Sequence, residues 1–228
     1  MPQNLLPFQY KTDPTESKMT ALGGLPLFLD LMRNLGGIDS LRSCLDKTSE
    51  FNGWSHSDVV LSLVMLNLAG GDCVEDLDQL NVDLGFSKIM ELVHQHDISR
   101  QQKRLLKRKL AKLKMRKFPS KSSAFRRLED FHDPKEEKEK EKRRQVAGIT
   151  GKGKAYIQQP NQKLRALIEV NRRFVESIAL RAQLTVATLD QDATLVETHK
   201  ENALFCYKKF KAYQPLNTYW SELGVVLH

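Results

Sequence analysis

A pair of aspartates next to an apolar, β-branched run constrains the fold of this chain most strongly. The run is LTVATL over residues 184–189, and Asp190 and Asp192 follow it. This composition favours a strand in the interior of a sheet. Residues two apart in a strand point to the same face, so both carboxylates could bind one hard cation such as Mg²⁺ or Mn²⁺. We therefore predict a buried central strand with a metal site at its tip; an aspartate-capped turn is the alternative.

Strand composition continues to the last residue given. Residues 202–213, 215–220 and 224–228 contain aromatic and β-branched residues, and Lys, Pro and Gly separate them. Short strands separated in this way are typical of a meander. We expect two further short strands after the aspartate-bearing one, so that three antiparallel strands begin a mixed sheet.

The chain before residue 180 is predicted to be mostly helical, after an extended arm of about 20 polar, proline-punctuated residues. Glycine pairs are expected to end the first two helices, and Ser55 or Ser57 to cap the second. Apolar residues spaced three and four apart predict helices over residues 25–35, 55–69, 74–80, 87–93, 120–131 and 162–181.

Residues 100–117 form the most basic segment, with ten cationic residues and no acid. Leucines three to five apart predict an amphipathic helix, which could bind DNA, an acidic partner or an anionic membrane surface. A solvated surface helix is the alternative. Ten unrelieved charges favour a nucleic acid, because each phosphate contact adds salt-sensitive affinity. The candidate DNA contacts on this helix and the next are Arg100, Lys103, Arg104, Lys107, Arg108, Lys109, Lys112, Arg126 and Arg127.

The overall composition agrees with a polyanionic partner. Lys and Arg total 36 against 28 acids, a net charge of +8, although ribosomal or membrane-surface binding would require the same excess. Apolar residues make up 40% of the chain, enough to bury a core. Three scattered cysteines without Cys-x-x-Cys spacing argue against a zinc site or a disulfide framework. With no long apolar run or signal peptide, we expect a cytoplasmic protein that does not enter a membrane.

The middle of the chain is predicted to connect two regions. Residues 135–144 alternate acids and bases, which is typical of an exposed single helix or a flexible linker. Three glycines with lysines over residues 148–154 lack the spacing of a phosphate loop, so a plain loop is predicted. The predicted organisation is an arm over residues 1–20, a helical DNA-binding region over 21–133, a charged linker over 134–160 and a sheet-containing region over 161–228.

Several motifs resemble those of DDE transposases of bacterial insertion sequences, in particular the insertion sequence 1380 family. They are LDQDAT over residues 189–194, KENA over 200–203 with Tyr207 after it, and YQPLN over 213–217. Two front-end segments are also similar to this family: GGD with EDLDQLNVD within residues 70–83, and PSKSSAFRRL over 119–128. The resemblance covers most of the chain.

The resemblance implies an α+β fold, with a mainly helical N-terminal region followed by the first three strands of a ribonuclease H-like mixed sheet. It also implies cutting and joining of DNA strands by two-metal phosphoryl transfer with Mg²⁺ or Mn²⁺. Asp192 would be the catalytic carboxylate and metal ligand, and Asp190 a neighbouring acid that tunes the site. Lys208, Lys209 and Lys211 would contact the DNA backbone.

The same resemblance places two further acids, an aspartate and a glutamate, after the third strand of the sheet. We therefore expect the chain to hold an incomplete active site and to be inactive alone. When full length, the protein is expected to form a homo-oligomer on the terminal repeats and target DNA, in the nucleoid.

Two other functions remain open from the residues. A DNA-binding module without chemistry, derived from such an element, would use the basic helix and not Asp192. A sugar-nucleotide transferase could use Asp-x-Asp for its metal, but the sequence shows no nucleotide-binding unit upstream.

Overall fold

The computed structural model describes residues 19–46, 53–95, 100–112, 116–150, 159–200, 203 and 205–227. The chain divides into two compact units, Met1–Leu167 and Ile168–His228. The α-helices are α1 (Leu25–Asn34), α2 (Gly37–Leu45), α3 (His56–Leu68), α4 (Leu77–Val82), α5 (Leu84–Gln95), α6 (Arg100–Lys112), α7 (Lys121–Leu128), α8 (Pro134–Thr150) and α9 (Gln162–Ala182). The strands are β1 (Leu189–Ala193), β2 (Val196–Glu197), β3 (Ala212–Tyr213), β4 (Leu216–Trp220) and β5 (Val225–Val226), and 3₁₀ turns cover Val74–Asp76 and Glu129–Phe131.

The first unit has an apolar core built by α1 to α5, α7 and the segment before α7. Leu29, Met65 and Leu77 are fully buried, as are Phe86 and Phe118, whose rings stack with centroids 5.6 Å apart. Burying a side chain of this size contributes about 1.5–3 kcal/mol before the entropy cost of ordering it. The helical front end is therefore a packed domain.

The ends of α3 are set by local hydrogen bonds that the sequence predicts. Ser55 Oγ accepts from the Asp58 amide at 3.1 Å, and the Ser55 amide donates to Asp58 Oδ2 at 3.0 Å, which forms a capping box. At the other end, Gly70 has a φ of +82°, and the Gly71 amide donates to the Leu66 carbonyl at 3.0 Å. A left-handed residue followed by this bond ends the helix, and only glycine adopts that conformation without cost.

Two helices add to the predicted pattern. No element is predicted from the sequence over Gly37–Leu45, although Ile38, Leu41 and Leu45 have helical spacing and are buried in α2. Residues 134–150 form α8, so residues 135–144 adopt the helical one of their two alternatives. The plain loop predicted over residues 148–154 is wrong for residues 148–150, which continue this helix, and residues 151–154 lie outside the described residues. The Arg143 guanidinium donates to Glu139 one turn earlier, a pairing that supports an exposed helix.

In the second unit, β1 and β2 run along one side and β3 and β4 along the other side of a two-stranded antiparallel ribbon. Asp192 lies opposite Asn217 in the β1–β4 ladder, and Val196 lies opposite Tyr213 in the β2–β3 ladder, so the pairing register does not change between them. The Thr194 amide donates to the Pro215 carbonyl at 3.1 Å and joins the two ladders. We call residues 189–198 paired with residues 211–220 the ribbon. β5 adds to the other side of β4.

The prediction of a buried central strand over residues 184–189 is wrong. The strand begins at Leu189, its aspartates lie within it, and the residues before it make no strand. Leu184, Val186 and Leu189 are exposed. Residues 189–193 form the strand because they pair with β4. A hydrogen-bonding partner decides where a strand forms more than β-branched composition does.

The described strand pairs are all antiparallel, so the predicted meander is present but the mixed sheet is not shown. The described residues among 202–213 contribute β3 and an isolated bridge between Phe205 and Lys211 to the strand pairing. A ribonuclease H-like topology remains a prediction. Among the described residues, no helix combines the length and apolar character that crossing a bilayer requires.

Candidate metal centre and nucleic-acid interface

Asp190 and Asp192 project from the same face of β1. Their partners across the ladder are Tyr219 and Asn217. Asp190 Oδ2 accepts a hydrogen bond from Ser221 Oγ at 2.8 Å, and Asp192 Oδ1 accepts one from the Ala193 amide at 2.8 Å. Both side chains are exposed. The aspartates are thus held in place on an accessible strand.

The donor set fits a hard divalent cation. Carboxylate oxygens are the ligands that Mg²⁺ and Mn²⁺ prefer, and Asp190 and Asp192 offer them from one face. Within the described residues, no group of three or more His, Cys, Asp or Glu side chains lies close enough to hold a metal ion. The described part of the chain therefore places two candidate carboxylate ligands on one face of a strand.

The start of β1 is held by the turn that follows β4. Glu222 Oε2 accepts from the Thr188 amide at 2.8 Å, and Glu222 Oε1 accepts from Thr188 Oγ1 at 2.5 Å. Both bonds lower the pKa of Glu222 below its ordinary value of 4.5, and the bond from the hydroxyl has the larger effect. Together with Ser221 on Asp190, they fix the register that places both aspartates opposite β4.

This contact predicts a pH dependence of strand order. Because folding lowers the pKa of Glu222, the stability that Glu222 contributes is present above its unfolded pKa and is lost as the pH falls through its lowered pKa. Thr188→Val is expected to raise the pKa of Glu222 toward its ordinary value, since both the hydroxyl donor and the alignment of the amide are disturbed. An NMR titration of the Glu222 carboxyl measures this, and an unchanged pKa in the variant would contradict the assignment.

On α6, a stripe of exposed cations follows one side of the helix. We call its five members the α6 stripe: Arg100, Lys103, Arg104, Lys107 and Arg108. At 3.6 residues per turn, spacings of three, one, three and one place them within about 140° of the circumference and about 12 Å of helix length. Lys109 and Lys112 belong to the same helix, but their side chains lie outside the described part. The prediction of a basic amphipathic helix is confirmed as a helix over Arg100–Lys112.

The last two cations of the predicted basic segment have structural roles. Lys117 is 7% exposed, and its ammonium lies 3.0 Å from Glu91 Oε2. Arg116 forms an ion pair with Asp78. Residues 116–117 also lie outside any helix. Their charges are thus compensated within the protein.

The two candidate arginines of α7 differ from each other. Arg126 is exposed and remains a candidate DNA contact. Arg127 is half-buried, and its Nε donates to the Trp54 carbonyl at 2.8 Å. Arg127 therefore joins α7 to the residue before the α3 cap, a role that the sequence does not reveal.

Lysines at the far end of the ribbon lie on a tight turn. The Cys206 amide donates to the Phe210 carbonyl at 2.8 Å, and the Lys209 amide donates to the Cys206 carbonyl at 2.9 Å. Lys208 and Lys209 are exposed on this turn. Lys211 is half-buried and belongs to the ribbon, on the same face as the aspartates because its register position is six residues from Asn217.

A buried histidine is the centre of a polar cluster that the sequence does not predict. His56 is 1% exposed; its Nε2 lies 2.7 Å from Asp130 Oδ2, and its Nδ1 lies 3.4 Å from Lys163 Nζ. An ammonium only donates, so Nδ1 accepts and Nε2–H donates to Asp130. Lys163 also donates to the Leu45 carbonyl at 2.9 Å. The cluster ties α2, α3 and the start of α9 together, and its contacts join residues 74 to 118 positions apart in sequence, so no local pattern shows it.

An apolar groove of about 550 Å³ lies beside this cluster, between α3, the end of α7 and the start of α9. Val60, Leu63, Leu128, Phe131 and Leu164 contribute to its lining. None of the predicted site residues lines it. The groove therefore belongs to the packing of the front end and not to the carboxylate site.

Comparison with known proteins identifies a family. Residues 10–227 match a family model described as Transposase DDE domain group 1. No curated protein and no solved structure matches the chain.

Proposed function

Because the chain belongs to the Transposase DDE domain group 1 family, we propose that it acts in DNA transposition by metal-dependent cutting and joining of DNA strands. The observation that carries this proposal is the placement of Asp190 and Asp192 on one exposed face of β1, together with Lys211. The face thus offers carboxylates for a cation and an ammonium for a phosphate. The insertion sequence 1380 family is the group within which we place the chain.

In the proposed mechanism, each residue of the ribbon has a separate task. Asp192 provides a carboxylate ligand, and Asp190, held by Ser221, keeps a second negative charge beside it. A divalent cation bound there would stabilise the attacking and leaving oxygens of the phosphodiester. Lys208, Lys209 and Lys211 would hold phosphates further along the DNA strand.

We further propose that these 228 residues alone do not cleave DNA. A two-metal site needs several carboxylates around its cations, and among the described residues no group of three or more candidate ligands lies close enough to hold a metal ion. The enzyme is proposed to act as a homo-oligomer on DNA in the nucleoid.

The alternative function is a DNA-binding module without chemistry. The α6 stripe favours it, since five exposed cations on one side of a helix would bind duplex phosphates whether or not a metal site is complete. In that case Asp192 would be dispensable.

Replacing Asp192 by asparagine tests the metal site. The variant keeps the shape of the side chain but loses its charge, so Mn²⁺ affinity is expected to fall by at least about tenfold, as even outer-shell changes do at metal sites. Titration of the 228-residue chain with Mn²⁺, followed by electron paramagnetic resonance, measures this.

Glu197→Gln is the matched control. It removes one charge from β2, but Glu197 is an odd number of residues from Asp192 and so lies on the opposite face of the ribbon. Its Mn²⁺ affinity should equal that of the unmodified chain. If Asp192→Asn also binds Mn²⁺ as before while duplex DNA binding persists, the non-catalytic module is the correct function.

A further inference from the structure

We infer that the turn at the far end of the ribbon binds unpaired nucleotides, by stacking their bases on Phe205 and Tyr207 and pairing their phosphates with the flanking lysines. We call residues 205–211 the aromatic tip. The inference rests on the proposed DNA function and adds the form of DNA that the ribbon recognises.

The exposure of the two rings is the first observation. Phe205 is 71% exposed and Tyr207 is 75% exposed, whereas Tyr213 and Tyr219 on the ribbon are 38% and 40% exposed. A large ring left in water forgoes the stabilisation that its burial would give. Two such exposed rings, two residues apart in sequence, give this turn accessible aromatic faces.

The turn holds these rings on a defined backbone. Two backbone hydrogen bonds close it, from the Cys206 amide to Phe210 and from the Lys209 amide to Cys206. Lys209 has a φ of +67°, a left-handed conformation that turns the chain sharply. The backbone of Phe205 forms an isolated β-bridge with Lys211, which anchors Phe205 to the ribbon. Because the backbone of the turn is already fixed, little conformational entropy of the protein is lost when a base stacks on these rings.

Lysines next to the rings favour a partner that carries phosphates as well as bases. Lys208 Nζ is 5.8 Å from the centroid of the Tyr207 ring. Lys209 adds an exposed charge. Aromatic faces interleaved with cations match a single strand, which offers bases for stacking next to phosphates for pairing. A base inside a duplex presents no face to such rings.

The distance to the carboxylates sets where the unpaired nucleotides lie. From Asn217, opposite Asp192, to Lys211 is six residues, or about 20 Å along the strand. At about 3.4 Å per nucleotide in a duplex strand, the near end of the tip at Lys211 lies about six nucleotides from the phosphate at Asp192, and fewer nucleotides of an extended single strand span that distance. The predicted substrate therefore has unpaired bases close to the cleavage site.

The test uses the 228-residue chain and a fluorescent oligothymidine, with a duplex of the same length as comparison. Replacing both Phe205 and Tyr207 by alanine is expected to weaken oligothymidine binding by about tenfold or more, with the salt dependence unchanged. Lys208→Gln with Lys209→Gln should instead lower the slope of log affinity against log salt by about 1.4, or about 0.7 for each phosphate that a lysine no longer neutralises. Tyr207→Trp, with Phe205 unchanged, keeps a stacking face and should bind oligothymidine as well as the unmodified chain does.

Phe28→Ala is the control, because Phe28 is also exposed, at 46%, but lies on α1. It should leave oligothymidine binding unchanged, and circular dichroism should show the same secondary structure in every variant. The inference is overturned if the double alanine variant binds oligothymidine as well as the unmodified chain, or if duplex binding weakens equally. If the unmodified chain binds neither oligothymidine nor duplex, the proposed DNA function is overturned instead.

Discussion

Replacing Lys103, Arg104 and Lys107 by glutamine is expected to lower the slope of log duplex-DNA affinity against log salt by about 2.7. These three residues are the centre of the α6 stripe and are exposed on one side of the helix. Each cation that contacts a phosphate releases counterions worth about 0.9 in this slope. Between about 50 and 200 mM salt, the unmodified chain should therefore lose about 40-fold more affinity than the variant.

A matched control separates a local contact from the effect of net charge. Lys135, Lys138 and Lys142 are also exposed, and their replacement by glutamine changes the net charge by the same three units. They lie on α8, where glutamates stand between them and offset their field. We expect this control to keep nearly the slope of the unmodified chain. An equal decrease in both variants would show that DNA responds to the overall charge of +8 and not to α6.

Helix boundaries in the front end could be predicted because local side chains determine them. The Ser55 capping box and the left-handed Gly70 act within one turn of α3, and their effect is visible in the sequence. Contacts between distant segments had no such signal. The role of Arg127 depends on the Trp54 carbonyl, and that of Lys163 on the Leu45 carbonyl, 118 residues away.

The candidate site was predicted in part. The two aspartates do share one face of a strand, as their spacing predicts, and the strand pairs with the segment of the YQPLN motif. The predicted burial of the apolar run was wrong: Leu184, Val186 and Leu189 are exposed, although Leu189 lies opposite Trp220 in the β1–β4 ladder. Composition describes the preference of a segment, whereas burial depends on what packs against it.

The two front-end motifs of the family resemblance meet in the structure. Glu75 of the first motif forms an ion pair with Lys121 of the second, which lowers the pKa of Glu75. Asp83 Oδ1 accepts from the Phe86 amide at 2.8 Å and caps α5, while Asp83 Oδ2 accepts from Thr20 Oγ1 at 2.7 Å. These polar residues are therefore explained by the fold of the helical unit and need no contact with DNA.

Asn81, at the centre of this junction, leads to the second large prediction. Its Oδ1 accepts from the amides of Lys117 and Phe118, both at 3.1 Å, and its Nδ2 donates to the carbonyls of Leu77 at 3.1 Å and Phe118 at 3.2 Å. Asn81→Ala removes four hydrogen bonds and leaves half-buried backbone groups without them. At about 0.5–1.5 kcal/mol per bond, we expect a loss of about 3 kcal/mol in the free energy of unfolding of the helical unit.

Two comparisons make this prediction specific. Asn81→Asp keeps the acceptor for Lys117 and Phe118 but loses both donated bonds, so its destabilisation should lie between that of the unmodified chain and that of Asn81→Ala. Asn67 is exposed on α3, and Asn67→Ala should change stability by less than about 0.5 kcal/mol. Urea denaturation gives the free energies, and amide exchange at Phe118 reports the local opening. Unchanged exchange at Phe118 in Asn81→Ala would mean that the stacked pair of Phe86 and Phe118 holds this segment without the asparagine.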